Sequence, residues 1–300
     1  MARILITGAG GPAGIALAEQ FKHQHGGEHY LVGVDLLALP QTAAELFDEH
    51  HQVPAAADPA LLPALRRLVR RSRVDLIIPT VQDELPAVAA GAALLGAPVV
   101  SSPSHGVALA HDKLLTMATL AAAGVPIPHT LPADDLAASA NLTFPMVLKP
   151  RVARGGRGVQ VLDDSAELTA VLDEGLSPGL IAQEFAPGDE YAVQIFRQAG
   201  HPWECVVLAK TALKQGRVGN AAAVVRCPPG TELDVATVAI RAVEALGLHG
   251  PMDLDVRRLA DGTPVVLEVN ARFGANSAYA PELLERVLAQ WLRAPARVVA

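Results

Sequence analysis

Cysteine and aromatic residues are scarce in this chain, and their scarcity narrows the field. Cys205 and Cys227 are the only cysteines in 300 residues. They form neither a CxxC pair nor a metal-type spacing, so a disulfide framework and a thiolate metal centre are excluded. Packing in a reduced compartment is expected instead. Aromatic residues make up 4% of the chain and the formal net charge is -7. A nucleic-acid surface needs the opposite sign of charge, so nucleic acid is not expected as the main partner. No apolar run approaches the roughly 20 residues that span a bilayer. Met1-Ala2-Arg3-Ile4-Leu5-Ile6 leads straight into a strand pattern rather than a cleavable leader. A cytoplasmic protein with no membrane partner is expected. There is no GKS or GKT of a P-loop, and no Ser/His/Asp or Cys/His nucleophile arrangement. His111, beside Asp112, reads as a helix-end residue. Low-complexity tracts and short repeats are also missing.

What is present is apolar. Hydrophobic residues make up 51% of the chain, enough for a globular core. The length suggests about two domains. Residues 3–6 read as a buried strand, Thr7-Gly8-Ala9-Gly10-Gly11-Pro12-Ala13-Gly14 as a glycine turn, and the residues to about Phe21 as a helix. This is the opening of a doubly wound α/β unit. Gly8, Gly10 and Ala13 fit a relaxed GxGxxA pattern. Asp35 ends a second strand where an NAD ribose would find an acid. An NAD(P)-dependent oxidoreductase is therefore a rival reading, although the glycines also serve to make the tight turn and Pro12 is foreign to the pattern. A helix over Pro59–Arg71 and strands at 74–78 and 97–100 complete an N-terminal unit. Asp83 and Glu84 stand at a C-terminal strand edge, where they meet a ligand or open the next helix.

One helix carrying His111-Asp112-Lys113 is expected to run to about Ala123 and to stop at Gly124. The strand Pro145–Lys149 ends in a lysine. The loop Arg151–Val159 carries three glycines and Arg151, Arg154 and Arg157, and Val159–Leu162 returns as a strand. Such a flap can fold backbone N–H groups and arginines over phosphates, or it is a plain flexible tip. The strand 180–185 runs on to Glu190. Exposed backbone groups at 184–186 suit a purine edge, and Glu190 suits a ribose. Lys210, Lys214 and Arg217 are expected in a loop around Gly216 and Gly219, facing an anionic substrate or solvent. Helices are expected at 234–246 and 281–293.

The most unusual stretch is Val265-Val266-Leu267-Glu268-Val269-Asn270-Ala271-Arg272. On a strand, Glu268, Asn270 and Arg272 share one face, and Leu267, Val269 and Ala271 share the other. Asp261-Gly262 before it is a hairpin signal. With these two as the central turn residues, Asp255 stands opposite Glu268, and Asp253 opposite Asn270. Opposed carboxylates repel, and a divalent cation removes the repulsion. Two oxygen ligands and a fixed guanidinium are what a Mg²⁺-polyphosphate site needs. The plainer alternative is the polar outer face of an ordinary hairpin.

With these pieces in order, the chain resembles the ATP-grasp superfamily, and most closely its carbamoyl-phosphate-synthetase-like small ligases of the carboxylate–amine type. The resemblance rests on Asp112-Lys113, Phe144-Pro145-Met146-Val147-Leu148-Lys149-Pro150, Gly155-Gly156, Glu184, Glu190 and Glu268-Val269-Asn270-Ala271-Arg272. It implies an α/β fold: a Rossmann-like pre-ATP-grasp domain over 1–107, then a two-lobed α+β ATP-grasp domain over 108–300. The small lobe would cover about 108–182 and the large lobe about 183–300. It implies ATP with Mg²⁺ or Mn²⁺, small carboxylate and amine substrates, and a homodimer as an allowed assembly. Lys113 and Lys149 would lie on the ATP phosphates, under a loop containing Gly155 and Gly156. Glu184, Phe185 and Ala186 would meet adenine, and Glu190 the ribose. Asp255, Glu268 and Asn270 would hold the metal, and Arg272 with Lys149 would steady the transferred phosphate. The implied reaction is ADP-forming: an acyl phosphate forms and an amine attacks it. Asp255 stands where this branch often has Gln, and Ala271 replaces a common Pro. With no second ATP-grasp copy and no allosteric domain, a complete carbamoyl-phosphate synthetase is not expected.

Overall fold

The computed structural model describes residues 1–138, 143–153 and 155–292. Among the described residues thirteen strands form three sheets. The first sheet is parallel and contains β1 (Arg3–Thr7), β2 (Tyr30–Asp35), β3 (Glu49–Gln52) and β4 (Leu76–Ile78), in the order β3-β2-β1-β4. Its centre is apolar on both faces, as a parallel sheet covered by helices requires. Ile4 and Ile6 pack with Leu17 and Phe21, while Leu5 points the other way to Leu61, Leu65 and Val69.

Two details depart from the sequence pattern. The polar strand Glu49–Gln52 was not expected; it forms an edge of the sheet, where every second residue is exposed. The strand expected at 97–100 shrinks to a single bridge between Ile77 and Val99. Pro98 there supplies an acceptor but no donor.

The second sheet contains β5 (Thr130–Pro132), β6 (Met146–Pro150), β7 (Gln160–Leu162) and β8 (Leu180–Glu184), in the antiparallel order β5-β8-β6-β7. The third contains β9 (Glu190–Arg197), β10 (Glu204–Gln215), β11 (Val218–Arg226), β12 (Gly250–Arg258) and β13 (Pro264–Asn270), in the antiparallel order β11-β10-β9-β12-β13. Helix Leu233–Ala245 covers one face through Val235, Val238, Ala239, Ala242 and Val243. The helix Glu282–Trp291 joins this sheet to the first: Leu283, Leu284 and Val287 share a core with Phe196 of β9 and with Ile4, Ile6 and Phe21. The expected end of this helix, Arg293, lies outside the described residues, as does Arg154. Among the described residues no helix is long and apolar enough to cross a membrane.

The single helix expected through His111-Asp112-Lys113 is two helices, Ser104–His111 and Lys113–Ala122. Asp112 between them is extended and accepts from Leu114 N at 2.9 Å and Leu115 N at 3.3 Å. An aspartate satisfies these otherwise unpaired amides well. The other side of its carboxylate receives Arg151 Nη2 at 2.6 Å and Nε at 3.1 Å. The break places Lys113 in the first turn of a helix, with its N–H donated to Arg151 O at 2.9 Å.

Candidate active site

A cleft runs between the second and third sheets, the kind of concave, partly apolar place where small-molecule sites form. Lys113, Lys149, Gly155, Gly156, Glu184, Phe185, Ala186, Glu190, Asp255 and Glu268 all line it. Asn270 and Arg272 are outside this lining, further along β13 and its extension. The apolar wall includes Val147, Val159 and Leu267, and the rim includes Arg157 and Val218-Gly219-Asn220.

The floor is a network of buried charge. Lys113 Nζ lies 3.2 Å from Glu268 Oε1 and donates to Ala153 O at 2.9 Å. Lys149 Nζ donates to Gln183 Oε1 at 2.8 Å and to Leu267 O at 3.4 Å. Burial disfavours its charge and pulls it down to about 8; Glu268 resists this fall, Lys113 adds to it, and Asp255 and Glu190 resist it as well. Lys210 Nζ lies 2.6 Å from both Glu190 Oε1 and Asp255 Oδ1. Burial works against the Lys210 ammonium, but Asp255 and Glu190 outweigh it and hold it above its ordinary value.

The opposed carboxylates are present, by a different route from the one expected. Asp255 pairs with Glu268 and Asp253 with Asn270. No two-residue turn forms at Asp261-Gly262. Leu259 N donates to Thr263 O, Gly262 N donates to Leu259 O, and residues 259–263 form the loop. That odd loop shifts the register by one residue, and Val256 pairs with Val266. A bulge at Leu267 then restores it before Glu268. Leu267 therefore does not join Val269 and Ala271 in the core: it lines the cleft, and its carbonyl faces Lys149.

Residues 184–186 are less open than expected. Glu184 is still within the ladder of β8, and its N–H goes to His129 O at 2.8 Å; Phe185 N–H goes to Pro145 O at 3.3 Å. Among the described residues, the amide of Ala186 is the one of the three with no chain partner. The Phe185 ring turns to Arg217 and Arg257, whose guanidinium carbons stand 4.6 and 4.8 Å from its centroid.

Arg272 Nη1 donates to Phe273 O at 2.8 Å and lies 3.6 Å from Asp253 Oδ2. Burial and the neighbouring Asp255 push the Asp253 carboxyl up to about 6, with Arg272 and Gln194 pulling the other way.

The glycine turn near the N-terminus has its amides engaged. Ala9 N donates to Val34 O, Gly10 N to Asp35 Oδ2 at 2.9 Å and Gly11 N to Gly8 O. Close approach explains Gly14, whose Cβ would stand 2.3 Å from Gly8 O, and a positive φ of 57° explains Gly8. The acid that marked a ribose site thus caps the turn itself.

Sequence reasoning did not pick out Gln183, and it offered Lys210 only as a loop residue facing an anionic substrate or solvent. Lys210 lies within β10 instead. The available signal was a single polar residue inside an otherwise apolar strand run, Val206-Val207-Leu208-Ala209 before Lys210 and Leu180-Ile181-Ala182 before Gln183.

Among the described residues no three or more His, Cys, Asp or Glu side chains are grouped to hold a metal by themselves. Mg²⁺ in nucleotide sites is usually held by one or two carboxylates plus phosphate oxygens. Asp255 and Glu268, opposed and each already paired with a lysine, fit that sparse arrangement.

The ATP-grasp domain matches residues 110–276, more than half of the chain, and the chain belongs to the ATP-grasp family. It is 30% identical over 190 residues to the uncharacterized protein y4rH of Sinorhizobium fredii, covering 55% of this chain and 37% of that one. It is 26% identical over 189 residues to the D-alanine--D-alanine ligase of Neisseria gonorrhoeae, covering 59% of this chain and 62% of the ligase. The chain thus spans less than two thirds of the length of these relatives. In fold it is similar to the L-amino acid ligase from Bacillus licheniformis (TM-score 0.71, 22% identity, 93% of this chain and 69% of that one). It is also similar to N5-carboxyaminoimidazole ribonucleotide synthetase from Thermotoga maritima (TM-score 0.72, 19% identity, 98% and 77%).

Proposed function

We propose that this protein is an ADP-forming ligase that phosphorylates a small carboxylate with ATP and passes the acyl group to an amine. One observation carries the reading. A single cleft gathers Lys113, Lys149, the Gly155-Gly156 loop and the opposed pair Asp255–Glu268. Two lysines and a glycine loop suit a polyphosphate, and the carboxylates suit its metal. Relatives whose names describe ligation support it.

In this reading residues 1–107 are a Rossmann-like pre-ATP-grasp domain and 108–300 the ATP-grasp domain, with lobes meeting near 182. The adenine lies between Val147 and Leu267 against Glu184, Phe185 and Ala186. Glu190 takes the ribose. Asp255, Glu268 and Asn270 hold Mg²⁺ or Mn²⁺. When bound, the metal neutralises phosphate charge. Lys113 and Lys149 hold the β- and γ-phosphates, and Lys210 stands ready to exchange its carboxylate partners for phosphate oxygen. Arg272 steadies the phosphate as it moves to the carboxylate oxygen. The bond from the γ-phosphorus to the bridging oxygen breaks, ADP leaves, and the acyl phosphate forms. The amine then attacks the acyl carbon, and phosphate departs. The 151–158 loop shields the acyl phosphate from water.

The test is an ADP-release screen over carboxylate and amine pairs, with hydroxylamine to trap an acyl phosphate as hydroxamate. ADP and hydroxamate with at least one carboxylate are expected. Saturable NADH binding with no ATP binding would overturn the proposal.

A further inference from the structure

The polar rows of the third sheet continue past Asp255 and Glu268 to Asp253 and Gln194, which the reaction above does not use. Asp253 faces Asn270 across β12 and β13, and Gln194 across β12 and β9. Gln194 is fully buried, and its Nε2 donates to Asp253 Oδ1. On the other side, Arg272 Nη1 approaches Asp253 Oδ2 at 3.6 Å. Gly274 lies directly over the carboxylate: a Cβ there would stand 2.3 Å from Asp253 Cγ and Oδ2. Gly274 is not among the glycines with positive φ. Close approach to Asp253, rather than backbone conformation, therefore requires a glycine there.

Two polar atoms flanking this group are buried and have no hydrogen-bond partner among the described residues: Gln194 Oε1 and Arg272 Nε. Native folds leave few such atoms unpaired, because each keeps its desolvation penalty. The partners of Asp253 are an amide N–H and a guanidinium. A carboxylate held by one hydrogen bond and in ion-pair range of a guanidinium suits orienting that cation better than adding a third acid to the metal pair.

We propose that Asp253 is a positioning residue for Arg272. Backed by Gln194 and covered by Gly274, it holds the guanidinium by its Nη1 edge and leaves the Nε–H for the phosphoryl group in transfer. Asp253 acts on charge placement beyond the nucleotide and not on nucleotide binding. The inference rests on the reading of Arg272 given under the proposed function.

The test uses the full chain with MgADP alone and MgADP with aluminium fluoride, which stands in for the transferring phosphoryl group and needs no knowledge of the carboxylate. Calorimetry gives the affinity for MgADP and its gain with fluoride. Asp253→Asn and Arg272→Lys are each expected to leave MgADP affinity within about twofold and to lose about tenfold or more of the fluoride-dependent gain. The double variant is expected to be no worse than the weaker single, because the two residues act as one unit. Gly274→Ala, which displaces the carboxylate without changing its charge, is expected to reproduce the loss. Circular dichroism checks that each variant is folded.

Full gain in Asp253→Asn alongside loss in Arg272→Lys overturns the inference, as do additive losses in the double variant. Wild-type protein that binds MgADP but shows no gain with fluoride also overturns it, while the nucleotide reading stands. Wild-type protein that does not bind MgADP overturns both.

Discussion

Lys149 Nζ donates to Gln183 Oε1 at 2.8 Å, and both side chains are buried in the cleft wall. Gln183 also donates to Thr130 Oγ1 at 2.9 Å, which fixes its amide with the oxygen toward the lysine. The pair gives a buried ammonium an oriented acceptor. Gln183→Leu leaves only the longer bond to Leu267 O. Hydrogen bonds to charged groups contribute about 1.5–3 kcal/mol, so a loss of that order is expected in urea unfolding of the ligand-free protein. An unchanged midpoint and slope would show that the lysine finds another partner.

The same lysine sets a pH dependence. Its folded-state value of about 8 lies below its ordinary 10.5. Between these values the unfolded chain holds more protons than the folded one, so stability rises with pH across that window. Below about pH 8 both states carry the proton, and the burial penalty applies in full. Binding of an anion runs the other way, because the cation is lost. Ligand-free stability is therefore expected to be higher at pH 9.5 than at pH 7.5, and MgADP affinity lower. Lys149→Met should flatten both trends. Urea unfolding and calorimetry at the two pH values, with wild-type and variant protein, measure them.

Glu268 has Lys113 at 3.2 Å on one side and Asp255 opposite it on the sheet. Glu268→Gln keeps the shape and removes the charge. Loss of a preorganised electrostatic group at a transferring phosphate typically lowers turnover by about 10²–10³-fold. ADP release should fall by that order, and the Mg²⁺ dependence of ADP binding should weaken. Unchanged turnover at saturating Mg²⁺ would remove Glu268 from the metal site.

Asp35 distinguishes a structural cap from a ribose ligand. It accepts from Gly10 N at 2.9 Å. Asp35→Ala is expected to lower stability by about 1–3 kcal/mol, since the turn amide loses its acceptor, and to leave MgADP affinity unchanged. Thermal melts and calorimetry give both numbers. A parallel NADH fluorescence titration of the wild-type protein is expected to show no saturable signal.

Much of the cleft could be read locally. Side chains alternate along a strand, so Glu268 and Asn270 fall on one face whatever surrounds them. The apolar run ending in Lys149 and the glycines at 155 and 156 likewise mark a strand end and a tight loop by composition alone. The pattern also predicted a parallel first sheet opening on β1, because Ile4, Leu5 and Ile6 are apolar on both faces. What could not be read depends on partners far along the chain. Lys210 belongs to a strand because β11 pairs with it, Lys210 opposite Val224, and β9 pairs as far as its neighbour Ala209. The loop expectation rests on Gly216 and Gly219 further along, not on its apolar neighbours.

The register of β12 and β13 shows the division between the two. Chain order and alternation determined that Asp255, Glu268, Asp253 and Asn270 would stand together. Tertiary structure decided how: an odd loop at 259–263 offsets the strands and the Leu267 bulge cancels the offset. Loop closure and bulge placement are set by packing on both faces of the sheet and leave no mark in local composition. The bulge also turns Leu267 into the cleft and its carbonyl toward Lys149. Likewise, Asp112 splits the expected helix, capping Lys113–Ala122 and pairing with Arg151 from across the fold. Residue identity supplied the charges; long-range pairing decided which of them meet.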